Sequence, residues 1–341
     1  MNRRSIQSLL IAVLAVGCRN SEQATGDAGG SDAGATADAD PQVGCQPLDP
    51  RTSAPEVFIG PTEIEDSVLP VIAHAQDTLV VMMYQLSQES FIDAIVAAAG
   101  RGVSVRVVLD PDQNNSDAKA AFDAAGVQYK DASLSWENYH AKVVLADDDL
   151  GVVMSGNMNY FTTNSERNYG VVLRDRDDLA DIATIFDMDW DGITTGYPTC
   201  TRLLISPTNA RQRILQHINS AQETLDFEVM YISDDTVLQA VIDRHDAGVA
   251  VRVLLADPNW IDGNDATAAT LRAAGVSAKY LKTYGVHAKL IVADGAAFIG
   301  SQNFSWTSLE RNREMGVLID DAAGMARIDD QFEVDWAAGV E

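Results

Sequence analysis

The chain repeats itself at an offset of about 147 residues, and that repeat limits the fold more than any other feature. Ala75-Gln76-Asp77-Thr78-Leu79 matches Ala221-Gln222-Glu223-Thr224-Leu225, and Met83-Tyr84 matches Met230-Tyr231. Gly102-Val103-Ser104-Val105-Arg106-Val107-Val108-Leu109 matches Gly248-Val249-Ala250-Val251-Arg252-Val253-Leu254-Leu255. Ala124-Ala125-Gly126-Val127 matches Ala273-Ala274-Gly275-Val276. A period this long is not a solenoid. It predicts two similar domains, over residues 55–200 and 201–341, related by a pseudo-two-fold axis. A chain of 341 residues is long enough for both.

Each copy alternates helical and strand patterns. Ile64, Val68, Val71 and Ile72 have helical spacing within residues 63–77, and residues 78–83 form an apolar strand. Residues 91–99 read as a helix closed near Gly100 and Gly102. Residues 103–109 read as a Val-rich strand, 117–125 as a helix, and 141–146 and 170–173 as strands. This order predicts an α/β fold in which each half is a buried mixed sheet flanked by helices.

The first 18 residues read as an export signal: Arg3 and Arg4 precede an apolar run that ends at Gly17-Cys18. A small residue followed directly by Cys is similar to a bacterial lipobox, which would make Cys18 a lipidated N-terminus; an ordinary signal peptide is the alternative. Residues 19–54 are small, acidic and poor in large apolar groups, as in a disordered tether. With Cys18 lipidated, Cys45 and Cys200 remain, and an exported chain with that pair suggests a disulfide, two free thiols being the alternative. The protein is therefore expected to be exported, and either lipid-anchored to a bacterial membrane or secreted.

The chemistry concentrates in His140-Ala141-Lys142, four residues, Asp147, then Ser155-Gly156-Asn157. Its counterpart is His287-Ala288-Lys289, four residues, Asp294, then Gly300-Ser301-Gln302-Asn303. In a strand, positions i and i+2 share a face, so each His-Lys pair points one way and the intervening Ala the other. Polar groups at the end of a buried strand are costly without partners, and two matched copies make coincidence a poor explanation. A metal site is not expected, because Lys repels cations and no Cys/His cluster lies beside either His. His74, His217 and His245 are expected to be ordinary surface or partly buried imidazoles. Tyr84 and Tyr231 fall at matching strand ends, where they could border the pocket or pack in the core. Trp136, Trp260 and Trp306 lie near the motifs, either as an apolar rim suited to lipid or as packing.

These residues resemble the phospholipase D superfamily, marked by His-x-Lys-x4-Asp-x6-Gly-Ser-x-Asn occurring twice. The resemblance runs from about residue 55 to the end. It implies that one His attacks phosphorus to form a phosphohistidine, while the other protonates the leaving oxygen. It also implies that Lys142, Lys289, Asn157 and Asn303 hold the non-bridging oxygens, supported by Ser155 and Ser301, with no cofactor. In the family a carboxylate about 11 residues after the motif Asn of one half orients the His of the other. Glu314 holds that position, whereas the first half has Asn168 there and Glu166 two residues earlier. Glu314 is therefore expected to orient His140, the nucleophile; His287, the acid, would lack a carboxylate partner or borrow Glu166. Asp147 and Asp294 read as structural. Met154 replaces the motif Gly, so a different turn is expected before Ser155, and the second motif is one residue short between Asp294 and Gly300.

The resemblance implies a phosphodiesterase acting on a phospholipid head group, with transfer to an alcohol as a variant of the same reaction. A metal-independent endonuclease and a non-catalytic phosphate- or lipid-binding lipoprotein are the alternatives. With 24 Lys+Arg against 50 Asp+Glu, the net charge is −26, which disfavours nucleic acid as the substrate. Both motifs lie in one chain, so a monomer is expected.

Overall fold

A computed structural model describes residues 50–341. The export signal, Cys18, Cys45 and nearly all of the tether lie outside the described residues. Cys200 is disulfide-bonded.

In the first half the elements run β1 (Glu56–Ile59), α1 (Ile64–His74), β2 (Thr78–Met83), α2 (Glu89–Gly100), β3 (Ser104–Leu109), α3 (Ser116–Ala125), β4 (Gln128–Asp131), β5 (Lys142–Ala146), β6 (Leu150–Met154), α4 (Tyr160–Asn164), β7 (Glu166–Arg167), β8 (Tyr169–Leu173) and α5 (Arg176–Trp190). In the second they run β9 (Leu203–Ser206), α6 (Ala210–Ser220), β10 (Thr224–Val229), α7 (Asp235–Asp246), β11 (Ala250–Ala256), α8 (Asn264–Ala273), β12 (Ser277–Leu281), β13 (Gly285–Val286), β14 (Lys289–Ala293), β15 (Ala296–Gly300), α9 (Trp306–Glu310), β16 (Glu314–Ile319) and α10 (Ala322–Ala338).

The two halves share one topology. The first sheet has the order β1-β8-β6-β5-β2-β3-β4, and the second, read from its other edge, β9-β16-β15-β14-β10-β11-β12. In each sheet the two pairings joined by helical crossovers are parallel (β2 with β3, β3 with β4), and the rest are antiparallel. Central strands such as Val-Val-Leu of β5 are apolar on both faces because both faces are covered.

Strand alternation sorts these faces. Ala141, Val143 and Leu145 enter a core shared with Leu290, Val292 and Ile299 of the other half, while Val144 and Ala146 pack toward α1 and α2. The layers are thus helices, sheet, shared seam, sheet, helices. Both α5 and α10 join the seam, through Ile182 and Phe186 and through Ile328 and Phe332.

The tether ends sooner than composition suggests. Arg51 Nε donates to Asp178 at 2.6 Å and Thr52 N to Asp175 at 2.7 Å, so residues 51 and 52 are fixed to α5 and its cap. Helix α1 ends at His74 rather than at residue 77.

The missing residue of the second motif is a hairpin difference. Asp147, Asp148 and Asp149 join β5 to β6, whereas Asp294 and Gly295 join β14 to β15. Asp147, Asp148 and Asp294 take φ of 53°, 52° and 49°, the left-handed region that Asp tolerates. The Asp147 carboxylate accepts from the backbone N–H groups of Gln76, Asp77 and Thr78 at 2.7–2.8 Å, and Asp294 does the same for Gln222, Glu223 and Thr224 at 2.9 Å. Those bonds fix the start of β2 and of β10. Replacing Asp147 by Ala should destabilise the fold by about 1–2 kcal/mol, as for a lost cap, with turnover below the transition unchanged. Urea unfolding and steady-state kinetics check this; lost turnover at full stability would put Asp147 in the chemistry instead.

Candidate active site

The site forms where each motif strand begins. Tyr139 forms a parallel bridge with Arg313, and His140 N donates to Arg313 O at 2.8 Å. Across the pseudo-axis β13 pairs in parallel with β7, setting Val286 beside Arg167, and His287 N donates to Arg167 O at 3.0 Å. Each histidine is therefore held by the segment that follows the Ser-x-Asn of the opposite half. The next residue in register, Glu314 or Asn168, lies under the ring.

The rings have different partners. His140 Nδ1 is 2.7 Å from Glu314 Oε2, and His287 Nδ1 is 3.1 Å from Asn168 Oδ1. Asn168 Oδ1 also accepts from Ser155 Oγ at 2.8 Å, and Lys289 Nζ lies 3.1 Å from the same His287 Nδ1, so that nitrogen faces both an amide oxygen and an ammonium. Glu166 lies 3.9 Å from His287 Nδ1, so the partner of His287 is an amide with a carboxylate behind it.

The register also exposes an exchange. Asn312 occupies in the second half the place of Glu166 in the first, so Glu-x-Asn in one half faces Asn-x-Glu in the other. In each case the Asn Nδ2 donates to the Glu, Asn312 to Glu314 at 2.9 Å and Asn168 to Glu166 at 3.5 Å. A helix hydroxyl follows the carboxylate: Ser308 of α9 donates to Glu314 at 2.6 Å, and Thr162 of α4 to Glu166 at 3.1 Å.

Lys142 and Lys289 are buried, and each turns Nζ back onto the carbonyl of its own histidine, at 2.6 Å to His140 O and 2.5 Å to His287 O. Lys142 also lies 5.1 Å over the Tyr84 ring, and Tyr84 meets His140 edge-on at 4.6 Å. Tyr84 therefore borders the site. Among the described residues, the buried Oδ1 atoms of Asn157 and Asn303 have no hydrogen-bond partner, so either amide can turn its Nδ2 to an incoming oxygen.

Burial and mutual repulsion set the protonation. Desolvation lowers Lys142 to about 7, with Glu314, Asp110 and Glu166 pulling upward. Desolvation and then Lys142 hold Lys289 well below the usual lysine value. Desolvation lowers His140 to about 4 against the upward pull of Glu314. His287 falls well below its ordinary value through desolvation and then through Lys289, Lys142 and His140. Desolvation would raise Glu314, but His140 and Lys142 outweigh it and keep it ionised. Desolvation raises Glu166. Four basic groups in one buried cluster form a receptor for an anion. A phosphodiester monoanion among them would favour the charged lysines and the protonation of one imidazole.

The expected difference before Ser155 is absent. Ser155 N donates to Tyr169 O at 2.9 Å and Ser301 N to Met315 O at 3.0 Å, the same geometry. The volumes are exchanged instead. A Cβ on Gly300 would lie 2.5 Å from Gln302 Oε1, so the Gln302 side chain fills that space; in the first half the buried Met154 occupies position 154 and Gly156 carries no side chain. The Trp136 ring is buried against Tyr139 and Arg313, so it packs rather than forming a rim. His74 is exposed and paired with Asp149, and His217 is buried with its ring 3.4 Å from Ile291 O.

Two groups of residues escaped the sequence reading. Arg313 is fully buried between Asp189 of α5 (3.1 Å) and Ser206 O (3.1 Å), and Arg167 pairs with Asp335 of α10 at 2.7 Å and with Gly60 O. The repeat had signalled them, because Phe186, Asp189 and Trp190 match Phe332, Asp335 and Trp336 at an offset of 146. The other is Asp110, buried, whose Oδ2 accepts from Tyr139 N at 2.6 Å beside His140; its counterpart is Ala256, so only the first half has it.

Comparison with known proteins agrees with this geometry. The family described as "Cardiolipin synthase, PLD-like domain" matches residues 68–190 and again 214–336. A mitochondrial cardiolipin hydrolase of Xenopus tropicalis is 30% identical over 139 residues, 40% of this chain and 66% of that protein. The chain thus spans just under two thirds of that relative's length. A polyphosphate kinase from Porphyromonas gingivalis superposes with a TM-score of 0.67 at 17% identity, over 83% of this chain and 47% of that one. A phosphatidylserine synthase from Haemophilus influenzae does so with 0.66 at 12% identity, over 82% and 86%. At such identities the two structures show the fold alone. Two family matches covering most of the chain, on two mixed sheets whose His-x-Lys motifs converge, establish that it belongs to the phospholipase D superfamily and carries a site of the phosphodiesterase kind.

Proposed function

We propose that the protein hydrolyses the head-group phosphodiester of a phospholipid, releasing the head-group alcohol and phosphatidic acid through a phosphohistidine on His140. The observation that carries this is the unequal support of the two rings. Glu314, ionised and 2.7 Å from His140 Nδ1, makes His140 the more basic imidazole and leaves the Nε2 lone pair free to attack. The Asn168 amide gives His287 no such charge. In the first step a His140 Nε2–P bond forms, the P–O bond to the head group breaks, and protonated His287 gives its proton to the leaving oxygen. In the second, neutral His287 takes a proton from water, which attacks phosphorus and releases His140. Lys142, Lys289, Asn157 and Asn303 would bind the non-bridging oxygens, positioned by Ser155 and Ser301. A relative named for cardiolipin hydrolysis supports a lipid diester, as does the acidic net charge. Export and a lipid anchor at Cys18 would place a monomeric enzyme beside that substrate.

The test incubates the full chain in EDTA with phosphatidylcholine, phosphatidylethanolamine or single-stranded DNA. Head-group release is expected. Cleavage of DNA alone would replace this reading with a nuclease, and no turnover with phosphate analogues still bound would leave a binding protein.

The pH profile follows from the site. His140 must be neutral to attack, so kcat/KM should rise with pH through about 4; it should fall at higher pH, first as His287, held well below the ordinary imidazole value, loses the proton it must donate, and further above about 7 as Lys142 loses its own. Glu314→Gln removes the charge that favours protonated His140. The acid limb should therefore move to lower pH, while the plateau drops on the order of 10²–10³-fold as the nucleophile loses basicity and orientation. An acid limb that stays in place in this variant would show that Glu314 does not act on His140.

A further inference from the structure

Five of the eight exposed large apolar side chains among the described residues, Leu134, Tyr160, Phe161, Trp260 and Trp306, sit on segments that carry or touch the site. Helices α4 and α9 begin three residues after Asn157 and Asn303, capped by Asn159 and Ser305. Their inward hydroxyls, Thr162 and Ser308, hold Glu166 and Glu314. Their other sides expose aromatics: Tyr160 at 62%, Phe161 at 59% and Trp306 at 54%. The pseudo-axis that relates the two histidines relates Tyr160 to Trp306. Trp306 stacks under Arg311, which pairs with Glu137, three residues before His140. The Trp260 ring, 43% exposed, packs on Gly285, two residues before His287. Leu134, 82% exposed, is six residues before His140 in the loop that leads into β5.

We propose that these side chains form a collar that seats the catalytic seam on a zwitterionic phospholipid bilayer; this rests on the phospholipid reading above. Trp, Tyr and Phe exposed on the segments that flank the site suit the headgroup–acyl boundary, where an apolar ring body and a polar edge are both satisfied. A net charge of −26 repels anionic lipid and nucleic acid alike, which leaves a neutral interface as the matching partner. The two lysines of the site, Lys142 and Lys289, are buried and provide no surface track for a polyanion.

The test uses the full chain carrying Cys18→Ala in every sample, so that acylation contributes nothing, and compares it with Tyr160→Ser/Phe161→Ser/Trp306→Ser in the same background. The probe is phosphatidylcholine vesicles with brominated acyl chains. The parent should bind them with its Trp fluorescence quenched. The triple variant should lose at least ~30-fold in partitioning, in line with the loss of three buried aromatic anchors, while kcat/KM for soluble bis(p-nitrophenyl) phosphate stays unchanged. Equal partitioning of parent and variant overturns the collar, as does a variant that binds vesicles normally but loses affinity for single-stranded DNA. Vesicle binding through the collar without head-group release would leave the collar standing and remove the phospholipase reading.

Discussion

His140→Ala should abolish turnover of every diester, by at least ~10⁴-fold, whereas His287→Ala should depend on the leaving group. A head-group alkoxide leaves only with a proton from His287, so that variant should lose ~10²–10⁴-fold on phosphatidylcholine. p-Nitrophenolate needs no proton. On bis(p-nitrophenyl) phosphate the His287→Ala protein should therefore release one equivalent of nitrophenolate per site and then stall, because no base remains to activate water. Mass spectrometry of the stalled protein should find the phosphoryl adduct on His140. The reasoning rests on Glu314 beside His140 and an amide beside His287. A burst from His140→Ala, with the adduct on His287, would exchange the two roles.

Asp189→Ala should be the most destabilising of the changes considered. Asp189 accepts from Arg313 at 3.1 Å, Tyr139 at 3.0 Å and Tyr197 at 2.6 Å, and Arg313 is closed in by Trp136 and Tyr197 at 4.7 and 3.9 Å. Removing the carboxylate leaves a guanidinium with no exposure and no counter-charge, which costs about 3–5 kcal/mol. For a chain of this size that lowers Tm by on the order of 10 °C. Asp189→Asn keeps an acceptor and should lose less. Arg313→Met combined with Asp189→Leu removes both charges and should recover part of the loss, since the unpaired charge is the larger penalty. Differential scanning calorimetry reads all three. A single Asp189→Ala change that moves Tm by less than about 2 °C would mean that Arg313 finds other partners.

Much of the fold could be read from the chain because its signals are local. The stripe of Ile64, Val68, Val71 and Ile72 specifies a helix face within eleven residues, and all four are buried in α1. The Val-rich strands announce a covered sheet. Met154 misled for the opposite reason. It looked like a broken turn in isolation, while its compensation, Gly156 where the other half has Gln302, is visible only where both side chains compete for one volume. The buried arginines were overlooked because the repeat marks Asp189 and Asp335 as equivalent but does not say that each pairs with an Arg of the opposite half.

The residue order of this chain determined its two domains, the alternation of their elements and the groups brought to the site, because all of these depend on patterns a few residues long. Which group supports which histidine was decided by the tertiary structure. His140 and Glu314 are 174 positions apart, and His287 and Asn168 are 119 apart. They meet because the segments preceding the histidines pair in parallel with the opposite half, in a register set by Tyr139 against Arg313 and Val286 against Arg167. That register places a carboxylate under one ring and an amide under the other.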